Sequence, residues 1–493
     1  MRTLIIVFTL ILSSFTFGQD NIFLDRSYWK TNPIISDVKA KIAESHDAAE
    51  LNRFAFDAIS YALIEKVSNA TIKFLLEQEG NGVNKLTHDG RTYIFWAAYK
   101  DNLEMMDYLV KQGAKTNIID SHGYSLLNFA AVTGQSNTKL YDFIIEHGAD
   151  PKTEKNLAGA NALLLVAPFL KDYELVSYFQ SKGISLGVTD NIGNGIFNYA
   201  AKGGNTKMLD LLIKKGVEYK NLNKEGGNAF ITASQGTRGR ENTLELYQYL
   251  ESLGLAVNVI GNEGRNPLHA IAYDVEDLNI FKFFLERGVD INQSDEEGNT
   301  PFLNAAGYNN SEVVSFLTKR VKDINATNKK GQSALTRAVS RNNLDVVNYL
   351  IENDASTKIL DSEGNNLMYY VLGTFNAQKP EVFNSKLELL VKSGLDANAT
   401  QAKGNTLYHL AAEKNNLDLF KRLQDFKIDI NKKNDDGLTA LHIAAMKAQN
   451  HDILNFLIKN GADKSIVTDF EETVYDLASE NELLDSDEIA YLK

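Results

Sequence analysis

Apolar residues along this chain fall in short bursts separated by polar turns, and the bursts come in pairs. In "GLTALHIAAMK" (437–447) the apolar positions run almost unbroken, and "HDILNFLIKN" (451–460) then carries Ile, Leu, Phe, Leu and Ile at helical spacing. The same opening phrase recurs as "GNTPFLNAA" (298–306), "GRNPLHAIA" (264–272), "GNTLYHLAA" (404–412) and "GRTYIFWAA" (90–98). Each burst pair predicts two short helices. Thr300, Thr406, Thr439 and Ser333 stand where an N-cap belongs, with Pro301 and Pro267 at the first helical position. Ahead of the phrase lie "NDDG" (434–437), "DEEG" (295–298), "DSEG" (361–364) and "DSHG" (120–123), which pair an Asx side chain with a glycine free to take positive φ. Ala-Ala pairs at 97–98, 130–131, 200–201, 305–306, 411–412 and 444–445 keep the first helix thin. Leu, Ile, Phe and Val supply bulk in the second, as in "LDLLIKKG" (209–216) and "FKFFLERG" (281–288).

The glycines opening the phrases are Gly90, Gly123, Gly159, Gly193, Gly226, Gly264, Gly298, Gly331, Gly364, Gly404 and Gly437, spaced by 33, 36, 34, 33, 38, 34, 33, 33, 40 and 33 residues. A period near 33 headed by a helical phrase signals a repeat array. The phrase is similar to the Gly-x-Thr-Pro-Leu-His-x-Ala-Ala of ankyrin repeats, which it matches closely at 437–445 and recognisably at the other glycines. The resemblance implies an all-α ankyrin-repeat solenoid of stacked helix–turn–helix units with β-turn fingers. About a dozen units, stepping by a helix diameter of about 10 Å, would form an arc on the order of 120 Å.

The expected domains are a signal peptide (1–18), an N-terminal segment with a capping helix (19–51), an ankyrin array of about 12 units (52–468) and a C-terminal capping repeat (469–493). Ala55 and Glu471 stand where a degenerate first unit and a closing unit would carry their glycines, and "ISDVKAKIAESHD" (35–47) reads as a lone second helix. Two departures from the period are insertions expected as loops between helices, "SQGTRGRENT" (234–243) and "GTFNAQKPEVFNS" (373–385), on one edge of the array.

Composition narrows the function. With 64 acidic against 51 basic residues and a net charge of −13, the chain is poorly suited to phosphate backbones, and no nucleic acid is expected as partner. "MRTLIIVFTLILSSFTFGQD" has one Arg, an apolar run and small residues before Gln19, a secretory signal cleaved after Gly18. No other segment could span a bilayer, so no membrane insertion is expected after cleavage. The chain has no cysteine, hence neither disulfides nor thiolate metal sites. An exported bacterial protein, periplasmic or secreted, and monomeric, is the expectation.

No catalytic constellation can be assembled, and no cofactor or metal is expected. His269, His409 and His442 occupy the family's own histidine position, where the expected role is hydrogen bonding between adjacent turns. His88 and His122 lie one repeat apart but offer a metal no third ligand, while His46, His147 and His451 sit at helix ends. The resemblance implies instead that a partner protein binds on the concave side, at turn tips and the exposed ends of first helices. Carried onto this sequence, those positions give His88, Arg91, Tyr99, Lys100, His122, Tyr124, Phe169, Arg265, Tyr273, Tyr308 and Arg341. Tyr and Arg are the side chains that most often dominate binding energy. The expected function is a non-catalytic protein-binding scaffold. The narrower alternatives are an immunity or inhibitor protein that masks a toxin or enzyme, and an accessory to an exported stress-defence enzyme.

Overall fold

A computed structural model describes residues 21–485 and 489–493. The expected signal peptide lies outside the described residues. The chain divides into two compact units between Tyr219 and Lys220. Among the described residues it is helical throughout, with only isolated bridges such as Ile119–Ser125 and Thr327–Ser333 beside the turns.

Each unit is a row of helix pairs. In the first, Tyr93–Tyr99 pairs with Leu103–Lys111, Leu126–Val132 with Thr138–Glu146, Ala162–Val166 with Glu174–Ser181, and Ile196–Ala201 with Thr206–Lys214. In the second, examples are Pro301–Tyr308 with Ser311–Thr318, Ala334–Arg341 with Leu344–Glu352, and Ala440–Lys447 with Asp452–Lys459. Within each unit, successive first helices pack on one another. The Ala-Ala pairs make this possible: all twelve alanines are buried, so neighbouring backbones approach with little side chain between them.

Second helices bury a narrower stripe. The buried residues fall at i, i+1 and i+4: Met105, Met106 and Leu109; Leu140, Tyr141 and Ile144; Met208, Leu209 and Leu212; Val346, Val347 and Leu350. That spacing puts one face of a helix on the core and leaves the rest to water. In Pro380–Lys392 the stripe is Lys386, Leu387 and Leu390, so a lysine stands where its counterparts carry Met, Leu or Val. Lys386 is 2% exposed, and its Nζ donates to the Val339 carbonyl at 2.8 Å. Val339 lies in the last turn of Ala334–Arg341, where carbonyls lack helical partners and a cation is favoured.

The turns are built by one recurring device. Asp120 Oδ1 accepts from the backbone N–H groups of His122 (2.9 Å) and Tyr124 (2.8 Å); Asp295 does so from Glu297 (3.0 Å) and Asn299 (2.8 Å), and Asn434 from Asp436 (3.1 Å) and Leu438 (2.9 Å). The acceptor always lies three residues before the turn glycine, as an Asx turn requires. A single backbone bond then joins neighbouring turns: Ser121 N to Asp89 O (2.8 Å), Lys329 N to Glu297 O (3.0 Å), Ser362 N to Lys330 O (2.9 Å), Asp435 N to Lys403 O (2.9 Å). Ala55 and Glu471, at the glycine positions of the expected terminal units, have φ of 58° and 64° and so adopt the same left-handed conformation.

Two readings need correction. Residues 373–385 are not all loop: the helix Pro380–Lys392 takes in 380–385. Pro380 opens it where a missing N–H costs nothing, and the buried ring of Phe383 meets Phe375 edge-on at 5.2 Å. Nor does the helix Ile35–Ala43 stand alone. It follows a short helix, Arg26–Lys30, that packs against Ala58–Ile64, with Phe23 and Trp29 fully buried and the Trp29 indole donating to the Phe23 carbonyl at 2.9 Å.

Candidate protein-binding face

The residues expected to meet a partner fall into three local settings. In the first unit, His88, Arg91 and His122 converge on one carboxylate. Asp89 Oδ2 lies 3.0 Å from Arg91 Nη1, 3.3 Å from His88 Nε2 and 3.1 Å from His122 Nε2. Arg91 also sets Nε and Nη2 on Asp120 Oδ2, both at 2.8 Å, and its guanidinium lies 4.5 Å from the centre of the Phe129 ring. It is 9% exposed. Arg91 is therefore a rivet between adjacent turns and presents no free surface, contrary to the expectation for that position. The oxygen of Asp120 not used in its own turn is aimed at the arginine that follows the preceding glycine. A spacing of 29 residues, Arg91 to Asp120, was the available signal, and Arg265 to Asp295 repeats it at 30.

His88 is held as well, with its ring stacked on Phe56 at 4.3 Å and Nδ1 2.8 Å from the Phe54 carbonyl. His122 is the exposed member of the set. Tyr99 is half-buried near Phe129, and Lys100 lies over its ring at 4.7 Å. Partial burial and then the charge of Lys66 pull the Lys100 ammonium below its ordinary range. Tyr124 is half-buried, and Phe169 packs over Gly134 with one face open.

In the second unit the picture differs. Tyr273 and Tyr308 are exposed, with rings 5.1 Å apart. Arg341 follows them, its guanidinium 5.2 Å from the Tyr308 ring and bonded to the Tyr308 hydroxyl. Beneath lies Arg337, a residue the position rule passed over because it falls six after its glycine. Its Nη1 donates to Asn299 Oδ1 at 2.9 Å and its Nη2 to Asn304 Oδ1 at 3.3 Å, while Nε is buried with no acceptor. Burial lowers the affinity of Arg337 for its proton, with the Tyr273 and Tyr308 hydroxyls opposing the shift. Beside Tyr273 opens a groove of about 370 Å³ lined by Gln235, Arg265, His269, Tyr273, Asp274 and Asn304. Arg265 is half-exposed, held 2.9 Å from Glu263 and 3.4 Å from Asp295. The insertion after Gln235 folds as a tight turn, Thr237 and Arg240 exchanging backbone bonds of 3.0 and 2.9 Å.

The three family-position histidines are structural. Nδ1 of His269, His409 and His442 accepts the backbone N–H of Asn266, Thr406 and Thr439 at 3.1, 3.1 and 3.0 Å. Nε2 faces a carbonyl of the next turn, Asn299 at 3.2 Å, Leu438 at 2.9 Å and Ile466 at 3.0 Å. A carbonyl only accepts, so the proton sits on Nε2 and the ring is neutral. Burial lowers all three pKa values. Among the described residues no group of three or more His, Asp or Glu side chains is placed to hold a metal, and no helix is long and apolar enough to cross a membrane.

Comparison with known proteins agrees with the geometry. The model for ankyrin repeats (3 copies) matches residues 59–155, 199–295, 268–361 and 377–468. A phosphocholine transferase, AnkX of Legionella pneumophila, is 24% identical over 263 residues, 53% of this chain and 24% of its own. Ankyrin repeat protein L371 of Acanthamoeba polyphaga mimivirus is 23% identical over 379 residues, 74% of this chain and 46% of its own. An ankyrin repeat protein of Rickettsia felis is 25% identical over 268 residues, 50% of this chain and 68% of its own. The chain thus spans less than half the length of the first two.

Proposed function

The chain belongs to the ankyrin repeat family, and from that premise we propose that it is an exported, non-catalytic scaffold that binds a partner protein on its concave face. The array is read as about 12 units over 52–468. One observation carries the reading: Tyr273, Tyr308 and Arg341 form a continuous, exposed aromatic–cationic row on first-helix ends. Tyrosines offer a large contact area at little entropic cost, and an arginine alongside adds directional donors. Export rests on the N-terminal signal pattern and is checked by the mass of the mature chain, which should begin at Gln19.

The binding test is affinity capture from an extract of the source cell, with mass-spectrometric identification. The partner held by the wild-type chain should be lost by Tyr273→Ala/Tyr308→Ala at unchanged helical content. Retention of the same partner by that variant would remove this face from consideration. Masking of a toxin and support of a stress-defence enzyme both use the same face. They part on one measurement, whether the captured partner's activity falls or rises on binding.

A further inference from the structure

Arg337 and Arg341 differ from two arginines of the same unit. Arg265 is held by Glu263 and Asp295, and Arg287 grips Glu251 with Nε and Nη2 at 2.6 and 2.8 Å. Arg337 meets neutral partners, the amide oxygens of Asn299 and Asn304 and the Tyr273 hydroxyl, and Arg341 meets the hydroxyl and ring of Tyr308. Among the described residues neither forms an ion pair. An amide oxygen carries a partial charge against a full positive one, so both guanidiniums keep unspent capacity for a carboxylate, the group that matches their fork.

At the other end of this face the sign reverses. Asp274 lines the groove, and Glu241 on the insertion is crowded by the charges of Asp274 and Glu276. Partial burial first, then those two charges, push the Glu241 carboxyl above its ordinary range. Carboxylates gathered on one side of a groove are relieved by a cation placed among them. Between the poles lie the paired rings of Tyr273 and Tyr308.

We propose that this face takes an extended segment of the partner protein with an acidic side chain on Arg337 and Arg341, an apolar or aromatic residue over Tyr273 and Tyr308, and a basic residue against Glu241, Asp274 and Glu276. The proposal deepens the concave-face reading and rests on it. Opposite poles give the segment one permitted direction, since the reverse sets like charges together.

The test is selection of phage-displayed random 12-residue peptides on the full chain, followed by anisotropy titration of the best binder as a synthetic, end-blocked peptide. Enriched peptides should carry an acidic residue and a basic one at a recurring separation. Arg341→Glu, an exposed change that leaves the Arg337 bonds in place, should weaken binding at least tenfold, and replacing the peptide's acidic residue by Lys should restore it. Asp274→Lys should weaken binding similarly and be rescued by a basic-to-acidic change at the peptide's other end. Peptides without acidic residues, or affinity within twofold for Arg341→Glu, would overturn the polar segment. The scaffold reading would survive that result if Tyr273→Ala/Tyr308→Ala abolished binding. If no selected peptide needed either tyrosine, both readings would fall.

Discussion

Gly331 and Gly264 form a matched pair that isolates what close approach between turns contributes to stability. Their φ angles are nearly equal, 71° and 73°, so alanine at either position meets a similar left-handed penalty of about 1–2 kcal/mol. Their surroundings differ. A Cβ on Gly331 would lie 2.6 Å from the backbone nitrogen of Ser362 and 2.8 Å from two backbone atoms of Asp361. On Gly264 the nearest atom is the Ser294 carbonyl oxygen at 3.4 Å, ordinary contact. Since the atoms facing Gly331 are backbone, relief requires the next turn to move away, and the 2.9 Å bond from Ser362 N to Lys330 O lies in that gap. Losing an exposed backbone bond costs about 0.5–1.5 kcal/mol. Gly331→Ala should therefore cost about 1.5–3.5 kcal/mol, and Gly264→Ala about 1–2 kcal/mol. Urea unfolding followed by circular dichroism measures the total, and hydrogen exchange at Ser362 locates the damage. Two variants equal within about 0.5 kcal/mol, with Ser362 protection unchanged, would refute a steric junction between turns.

Other outcomes are expected. Leu350→Ala, at the fully buried end of its triplet, should cost about 2–5 kcal/mol in urea unfolding, whereas Leu344→Ala on the exposed side of the same helix should stay within about 0.5 kcal/mol. Burial holds the folded-state pKa of His269, His409 and His442 below the ordinary value of about 6.5, so the unfolded chain takes up protons first on acidification. Their contribution is full above about pH 6.5 and is lost as pH falls toward the folded values; melting points should drop between pH 7.5 and 5, less steeply for His442→Gln. Burial also lowers Lys386, so the folded chain holds fewer protons than the unfolded below the ordinary lysine value of about 10.4. Measured against Lys386→Met, wild-type stability should rise between pH 8 and 10. Arg91→Ala should speed hydrogen exchange at Ser121 and His122 by unpinning Asp120, and an unchanged rate would dismiss the rivet.

The repeating parts of the fold were legible because each has one local cause. Ala-Ala pairs, caps at Thr300 and Thr439, and turn glycines are all readable from residue type and spacing, and even Ala55 and Glu471 keep the glycine's backbone conformation. What escaped depends on contacts between units. Arg91 sits at a tip position by its number, but the free oxygen of Asp120 draws it inward. Arg337 was invisible to a rule counting nine and ten from the glycine, since only the packing of Asn299 and Asn304 shows which of its neighbours are amides. Residues 380–385 look like loop because the helix they extend is longer than its counterparts, and a period alone does not say which side of an insertion keeps its structure.

The bond between turns has a further consequence, for how such a chain can change in length. The turns at Gly298 and Gly331 each carry a donor N–H facing one neighbour, Glu296 and Lys329, and an acceptor carbonyl facing the other, Glu297 and Lys330, like a plug and a socket moulded into one part. Whole parts can be copied or removed and the joints still mate, whereas a gain or loss of a few residues inside a turn spoils two joints at once. The two long insertions of this protein obey that rule. Both sets lie between the helices of a pair, at 236–243 and from 373 into Pro380–Lys392, where no joint is interrupted.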